Sequence, residues 1–240
     1  MFDPERKAEQ LNLKGLNYGD SGDKKHAIEY FLLASETEGI PDTLKALYWE
    51  NAAIEYVNLN KDSAIYYYEK AALLHPKNSY NNLYDKASVH LLKGETAEAG
   101  EMLLRAYDLN NKHLRANHML GIIYMGDYDS AFYAPQKALR YNLAAYRINK
   151  TSYTELVLAK NYYYVNDPQN AAALFEDIYN KTPANVNNAA DLAMIYLELG
   201  RTEEANKLLD QIRLTDPQSY NRIINLHIKL GQHSLKWRPN

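Results

Sequence analysis

The sequence predicts an all-α protein, a right-handed α-solenoid (superhelix) of antiparallel helix pairs. The first observation is a repeat, because a pattern of small, aromatic and aliphatic residues in 158–183 returns 34 positions later in 192–217. A fixed period of this length is typical of architectures in which each unit packs only against its neighbours. The second observation is that apolar residues within each copy recur three and four positions apart, which is helical spacing. The paired positions are Leu158/Leu192, Ala159/Ala193, Tyr162/Tyr196, Ala171/Ala205, Phe175/Leu209, Ile178/Ile212 and Pro183/Pro217.

Each copy contains the signals of two helices joined by a turn. In the second copy, an apolar stripe that includes Tyr196 predicts a first helix that ends at Gly200, a residue that tolerates a left-handed backbone. Thr202 is the predicted N-cap of the second helix, and Pro217 ends that helix. Alanines at the crossing allow the two backbones to come close. One pair cannot bury both of its apolar stripes, so the pairs must stack.

These residues resemble the tetratricopeptide repeat, a helix-turn-helix unit of 34 residues. The resemblance extends from about Ala8 to Leu230 and implies a single solenoid domain over residues 1–240. The expected repeats are residues 8–41, 44–78, 79–112, 113–151, 152–185 and 186–219, followed by a capping helix at 220–231 and a tail at 232–240.

The first repeat follows the pattern closely and contains Gly19-Asp20-Ser21-Gly22. This tetrapeptide is similar to the nucleophile segment of trypsin-like serine proteases. Such a protease also needs a β-barrel that supplies a separately placed His and Asp, whereas Gly22-Asp23 coincides with the turn between the paired helices. We therefore interpret the segment as a turn.

The next repeats depart from the pattern in small ways. The second has an inter-helix turn that is one residue short, and Asp62 or Ser63 is expected to cap its second helix. The third has Asn111 where proline is usual.

The fourth repeat is four residues longer, and Pro135 occupies the usual aromatic position of its second helix. Either that helix begins near Pro135 after a long turn, or it is kinked and extends through Tyr146. We favour the extended helix.

Composition limits the classes of function. A net charge of −3 with scattered Lys and Arg argues against nucleic acid as a partner. The chain has no cysteine and no apolar run long enough to span a membrane. Its seven histidines show no HExxH spacing and predict no tight cluster with carboxylates, so we expect no cofactor, no metal and no enzyme activity. The compartment stays open: cytoplasmic by default, or periplasmic if an export signal has been removed.

The resemblance places function in the groove that the first helices line. The expected groove residues in the middle of the array mix aromatic, apolar and cationic side chains, which suits an extended peptide or an inserted helix. They are Tyr84, Ser88, Arg115, His118, Ile122, Tyr153, Leu156, Lys160, Asn187 and Met194.

One known groove chemistry of the family can be compared by residue. The carboxylate clamp of chaperone-binding members would fall on Asn12, Leu16, Asn51, Asn81 and Asp85. Only Asn51 agrees with it, and the charge of Asp85 would repel a carboxylate.

We therefore expect a non-enzymatic adaptor that binds a protein or peptide. The alternative is a structural or accessory component of a cell-envelope assembly or secretion apparatus. A homo-oligomer formed through the capping helix, at Ile223, Ile224 and Ile228, is a further expectation because a single cap helix leaves its apolar surface open.

Overall fold

The structure is a computed structural model, and it describes residues 3–221. The chain divides into two compact units, Met1–Ala131 and Phe132–Asn240. In the described part of the first unit, the helices are α1 (Pro4–Asp20), α2 (Lys24–Ser35), α3 (Asp42–Tyr56), α4 (Lys61–Leu74), α5 (Tyr80–Lys93), α6 (Thr96–Leu109) and α7 (Leu114–Met125). In that of the second, they are α8 (Pro135–Ile148), α9 (Ser152–Tyr164), α10 (Pro168–Lys181), α11 (Val186–Glu198) and α12 (Thr202–Thr215).

Within each unit, every helix packs against the next helix in the chain, from α1 to α7 and from α8 to α12. No strand occurs between residues 3 and 221. The predicted fold class of stacked helix pairs is therefore confirmed.

Local sequence explains where the helices begin and turn. The side chain of Asp23 accepts a hydrogen bond from the His26 N–H and caps α2, directly after Gly22 at φ +83°. The segment that is similar to a protease motif therefore lies at the turn between α1 and α2. In the last described repeat Gly200 adopts φ +72°, and Asn166 takes the same left-handed conformation 34 residues earlier. Asparagine is the residue that best replaces glycine in this conformation.

The core follows the repeat. The alanines at the helix crossings are fully buried, and large side chains at one recurrent position of the second helices fill the space beside them. In the first unit that position holds Phe31, Tyr68 and Leu103, all buried. Gly15 shows how tight this packing is, because a Cβ at Gly15 would lie 2.6 Å from the ring of Phe31.

In the second unit the same position of α8 holds an amide. Asn142 is buried, and its Nδ2 donates a hydrogen bond of 2.8 Å to Oδ1 of Asn161 on α9. Asn161 in turn donates to the carbonyl oxygen of Pro135 at 2.9 Å. An amide thus replaces the usual large apolar side chain, and its hydrogen bond to Asn161 offsets part of the cost of burying it. The Oδ1 of Asn142 is buried without a hydrogen-bond partner among the described residues.

The preferred prediction for the fourth repeat is wrong. The second helix, α8, begins at Pro135, after a single 3-10 turn at Ser130–Phe132 in the connection. Proline is tolerated in the first turn because its missing N–H would have no partner inside the helix. The longer connection therefore accommodates the four extra residues, and no kink is needed.

Two predicted caps are also wrong. The side chain of Asn60, rather than Asp62 or Ser63, caps α4 by accepting from the Ser63 N–H. Thr202 is the first residue of α12, and Arg201 precedes it without a side-chain capping bond.

The predicted capping helix at 220–231 lies outside the described residues from position 222 onward, as do the tail and the three isoleucines expected to mediate self-association. Among the helices that are described, none has the length and hydrophobicity that a bilayer crossing requires.

Candidate functional site

A continuous network of polar side chains runs through the first unit. The guanidinium of Arg115, on α7, donates to the carboxylate of Glu50 and, at 2.6 Å, to Oδ1 of Asn51 on α3. The Nδ2 of Asn51 donates to Oδ1 of Asn12 on α1 at 2.8 Å. At its other end the network continues into a buried histidine. We name it the Arg115 network, and its members are Asn12, Glu50, Asn51, His75, Asp85 and Arg115.

At the buried end of the network, one imidazole lies close to two carboxyl groups. The Nε2 of His75 lies 3.0 Å from Oε1 of Glu50 and 3.7 Å from Oδ2 of Asp85. Asp85 is 0% exposed, and neither of its oxygens has a hydrogen-bond partner among residues 3–221. Burial, reinforced by the charge of Glu50, raises the pKa of the Asp85 carboxyl well above its usual value. The expectation that no histidine clusters with carboxylates is therefore wrong for His75.

Stacking of the repeats explains why this cluster escapes sequence inspection. Glu50, Asp85 and Arg115 belong to the first helices of three successive pairs, and His75 ends α4. Their separations in sequence match no short metal or catalytic motif. The signal that could have found them is repeat position, because first helices of neighbouring pairs lie side by side.

Burial lowers the pKa of two histidines, one on α7 and one at its N-cap. His113 lies against the rings of Tyr80 and Tyr84, with centroid distances of 5.1 and 5.5 Å. Burial, and secondarily the charge of Arg115, lowers the pKa of His113 to about 4. Burial alone lowers the pKa of His118 to about 4.

The groove residues predicted in the first unit are more enclosed than the pattern suggested. Tyr84 and Ser88 are buried, and the Ser88 hydroxyl donates to the Tyr84 carbonyl oxygen at 3.0 Å. Arg115, His118 and Ile122 are partly buried. The structure brings Tyr84 and Arg115 together, with the guanidinium carbon 6.0 Å from the ring centroid. Tyr84 is therefore a packing residue beneath Arg115, and its ring is not an open anchor.

The predicted groove residues of the second unit remain more accessible. Tyr153 is 53% exposed, Asn187 is exposed, and Leu156, Lys160 and Met194 are partly buried. Burial raises the pKa of the Asp191 carboxyl on α11, and the charge of Lys160 on α9 opposes that shift. Lys160 therefore faces an acidic neighbour on the adjacent first helix.

The first unit also exposes apolar side chains on α1 and α3, of which only Leu16 was named from the sequence. Leu16 follows Asn12 by four residues, and Leu47 and Ile54 lie four residues before and three after Asn51, so each set shares a helix face. The hydrogen bond between Asn12 and Asn51 shows that the two faces adjoin. We call this surface the α1–α3 face; its apolar members, which are 36–51% exposed, are Leu13, Leu16, Leu47 and Ile54.

An open cleft of about 780 Å³ lies between α4 and α5. Lys77, Lys86 and Lys93 line it, and so does His75. His75 also belongs to the Arg115 network, so the network borders this cleft at His75.

Comparison with known proteins supports the repeat. A family model described as tetratricopeptide repeat matches residues 164–230. BBS4, a BBSome complex member of Bos taurus, is 26% identical over 167 residues, which are 69% of this chain and 31% of BBS4. The chain thus spans about a third of the length of that relative.

Solved structures share the fold over more of the chain. PilF of Pseudomonas aeruginosa is similar with a TM-score of 0.61 and 17% identity, covering 93% of this chain and 99% of that one. YrrB, described as a tetratricopeptide repeat protein with an unusual peptide-binding site, has a TM-score of 0.57 and 20% identity, covering 83% and 97%. Residues 164–230 thus match the tetratricopeptide repeat, and the helix pairs of the chain share the fold of solved structures that include a tetratricopeptide repeat protein.

Proposed function

We propose that this chain is a non-enzymatic adaptor that binds a peptide or protein segment on the α1–α3 face. The observation that carries the proposal is the set of exposed apolar side chains on two adjoining first helices, next to hydrogen-bonding amides. Packing of the repeat does not require large apolar residues at exposed positions, and such patches typically mark interaction sites.

The chemistry of the face suits a segment that presents both side chains and backbone. Leu16 and Ile54 can accept apolar anchors, while the partly buried Asn12 offers its side-chain amide to a peptide backbone. The buried Asn51, itself held by Arg115, donates to Asn12 Oδ1, so the Asn12 amide is already oriented before a partner arrives. Preorganisation of this kind lowers the entropic cost of binding.

The peptide-binding site in the description of YrrB is consistent with this use of the fold. So is the membership of BBS4 in a protein complex. Both similarities support a role in binding proteins or peptides. The chemistry of the face specifies the partner as an apolar segment with free backbone hydrogen-bonding groups.

The proposal is tested by placing a photo-crosslinking amino acid at Ile54 and, as a matched control, at Leu73. Leu73 is 84% exposed on the second helix α4, outside the α1–α3 face. We expect native partners to crosslink at Ile54 and not at Leu73, and the crosslinked peptide to be read by mass spectrometry. Equal crosslinking at both sites would contradict the proposal.

Substitutions give an independent measurement. The double variant Leu16→Ser/Ile54→Ser should lose partner capture, whereas Leu73→Ser/Leu109→Ser removes more exposed apolar area, from second helices, and should retain it. Unchanged helicity by circular dichroism is the control for folding. Retained capture by the first variant would refute the role of the face.

Tyr153 stays a predicted anchor in the second unit. Its exposure means that Tyr153→Ala should reduce partner capture without loss of fold. Arg115→Glu is a poor test of binding, because it would place a third carboxylate beside the buried Glu50 and Asp85. Full capture by Tyr153→Ala would restrict the binding surface to the first unit.

A further inference from the structure

We propose that Glu50, His75 and Asp85 form a binding site for Zn²⁺. One imidazole nitrogen and two carboxylate oxygens from these residues all lie within 4.8 Å of one another, and all three side chains are buried. A nitrogen with two carboxylate oxygens is a donor set that zinc accepts readily.

The spacing fits a tetrahedral ion. Zinc binds imidazole nitrogen and carboxylate oxygen at about 2.0–2.2 Å, which places neighbouring ligand atoms about 3.3–3.5 Å apart. The distances from His75 Nε2 to Glu50 Oε1 and to Asp85 Oδ2 are 3.0 and 3.7 Å, one on each side of that value. The third pair, the two carboxylate oxygens, lies within 4.8 Å, and a bound ion would bring it to the same separation.

The strongest indication is Asp85. Its two oxygens are completely enclosed and accept no hydrogen bond from residues 3–221, although Oδ2 lies toward the imidazole. A buried polar group without a partner is costly, and native structures rarely retain one without a reason. A bound cation would satisfy Asp85 where no protein donor does.

The surroundings orient the ligands. Arg115 occupies the other oxygen of Glu50, so Oε1 is left facing His75, and Asn51 fixes the guanidinium. Partners of this kind set the direction of a ligating carboxylate. The formal charges of Glu50, Asp85 and Arg115 sum to −1, so the site attracts a cation.

One side of the site borders the cleft between α4 and α5, which His75 lines. The His75 side chain is only 4% exposed, so entry of an ion from this cleft requires a local movement of the neighbouring side chains. Three protein ligands leave a fourth position on zinc, which water or another donor can occupy.

The experiment uses the full chain, freed of metal with a chelator, and titrates it with ZnCl₂ by calorimetry and with CoCl₂ by visible absorption. We expect one equivalent of Zn²⁺ per chain, a rise in thermal midpoint with Zn²⁺, and the absorption bands of four-coordinate Co²⁺. The ligand variants are Asp85→Asn and His75→Gln, each expected to weaken uptake at least 100-fold and to abolish the Co²⁺ bands.

His90→Gln is the matched control. The imidazole Nδ1 of His90 lies 2.5 Å from Glu95 Oε2 at the surface, so it is also a histidine–carboxylate pair but has no third ligand. This variant should bind Zn²⁺ as the wild type does.

Asp85→Asn keeps the test decisive if His75→Gln does not fold. The substitution removes a buried carboxyl that has no hydrogen-bond partner in the described chain, so the metal-free variant should be at least as heat-stable as the metal-free wild type. Its thermal midpoint should then no longer respond to Zn²⁺. No stoichiometric uptake by the wild type, or uptake that survives in Asp85→Asn, overturns the proposal.

Discussion

A buried imidazole makes His113 a source of acid sensitivity. Its pKa is about 4 in the folded chain and about 6.5 when unfolded. Between these values the unfolded state binds more protons, so the stability contributed by neutral His113 is complete above about pH 6.5 and is lost as the pH falls toward 4. The titratable groups near His113 are Arg115 and His75, which add to this shift, and Glu50, which opposes it.

We therefore predict that His113→Phe flattens the acid limb of the stability curve. Phenylalanine keeps a ring against Tyr80 and Tyr84, and it removes a buried Nδ1 that has no hydrogen-bond partner in the described chain. Urea unfolding at about pH 7 and about pH 4.5 should show a loss of unfolding free energy smaller by on the order of 2 kcal/mol than in the wild type. Replacing the half-exposed His26 by Gln is the control, and parallel curves for His113→Phe and wild type would refute the prediction.

Two glycines separate packing from backbone effects. Gly15→Ala places a methyl group 2.6 Å from Phe31 and should cost roughly 1–3 kcal/mol of unfolding free energy. Gly100→Ala meets nothing within 4 Å inside helix α6 and should stabilise by roughly 0.5–1 kcal/mol. Chemical denaturation of both variants measures the difference, and a shared sign would mean that the contact with Phe31 does not limit residue size.

At the scale of the helix, the crossing between α11 and α12 depends on small residues. Ala193 and Ala205 are fully buried at this crossing, so Ala193→Leu should overpack it and cost roughly 1–3 kcal/mol. The same substitution at the exposed Ala97 of α6 should change stability by less than about 0.5 kcal/mol. Thermal unfolding of both variants tests this, and equal midpoints would show that the crossing lies elsewhere.

Helix α8 shows where the repeat spacing no longer predicts the start of a helix. Ala193 and Ala205 recur at repeat positions because the neighbouring backbones leave no room for a larger side chain there. Both were predicted from spacing alone. The start of α8 at Pro135 was the less favoured of two alternatives, since Ala131 and Pro135 suggested a register that the 3-10 turn displaces. The alanine buried at the crossing in this pair is Ala138.

The candidate sites were less predictable than the helices. Spacing identifies the face of a helix, but it does not tell how far Arg115 reaches across a neighbouring helix to Glu50. The Arg115 guanidinium lies over the ring of Tyr84, and His75 lies close to Asp85 in the same network. No local sequence pattern connects these residues. These contacts depend both on long side chains and on how the repeats stack. A sequence pattern of small and aromatic positions predicts neither.

At the scale of the whole chain, the connection between α7 and α8 is the longest between described helices, running from Gly126 to Ala134. Residues 127–131 are exposed and contain no α-helix. Limited chymotrypsin digestion should therefore cut first at Tyr128, Phe132 or Tyr133, giving two fragments by mass spectrometry. Tyr66 is the internal control, because it is 51% exposed but lies within α4, and a first cut there would contradict the prediction.

The amide pair between α8 and α9 bears on how such a chain can evolve. Repeat proteins grow by duplication and shuffling, which succeeds when any unit can join any other. A copy of α8 set beside a first helix without an equivalent of Asn161 would bury the Asn142 amide unpaired, at a cost of roughly 1–3 kcal/mol. The Asn142–Asn161 hydrogen bond therefore couples the two helices, and we expect a transplanted α8 to keep its stability only when α9 is moved with it.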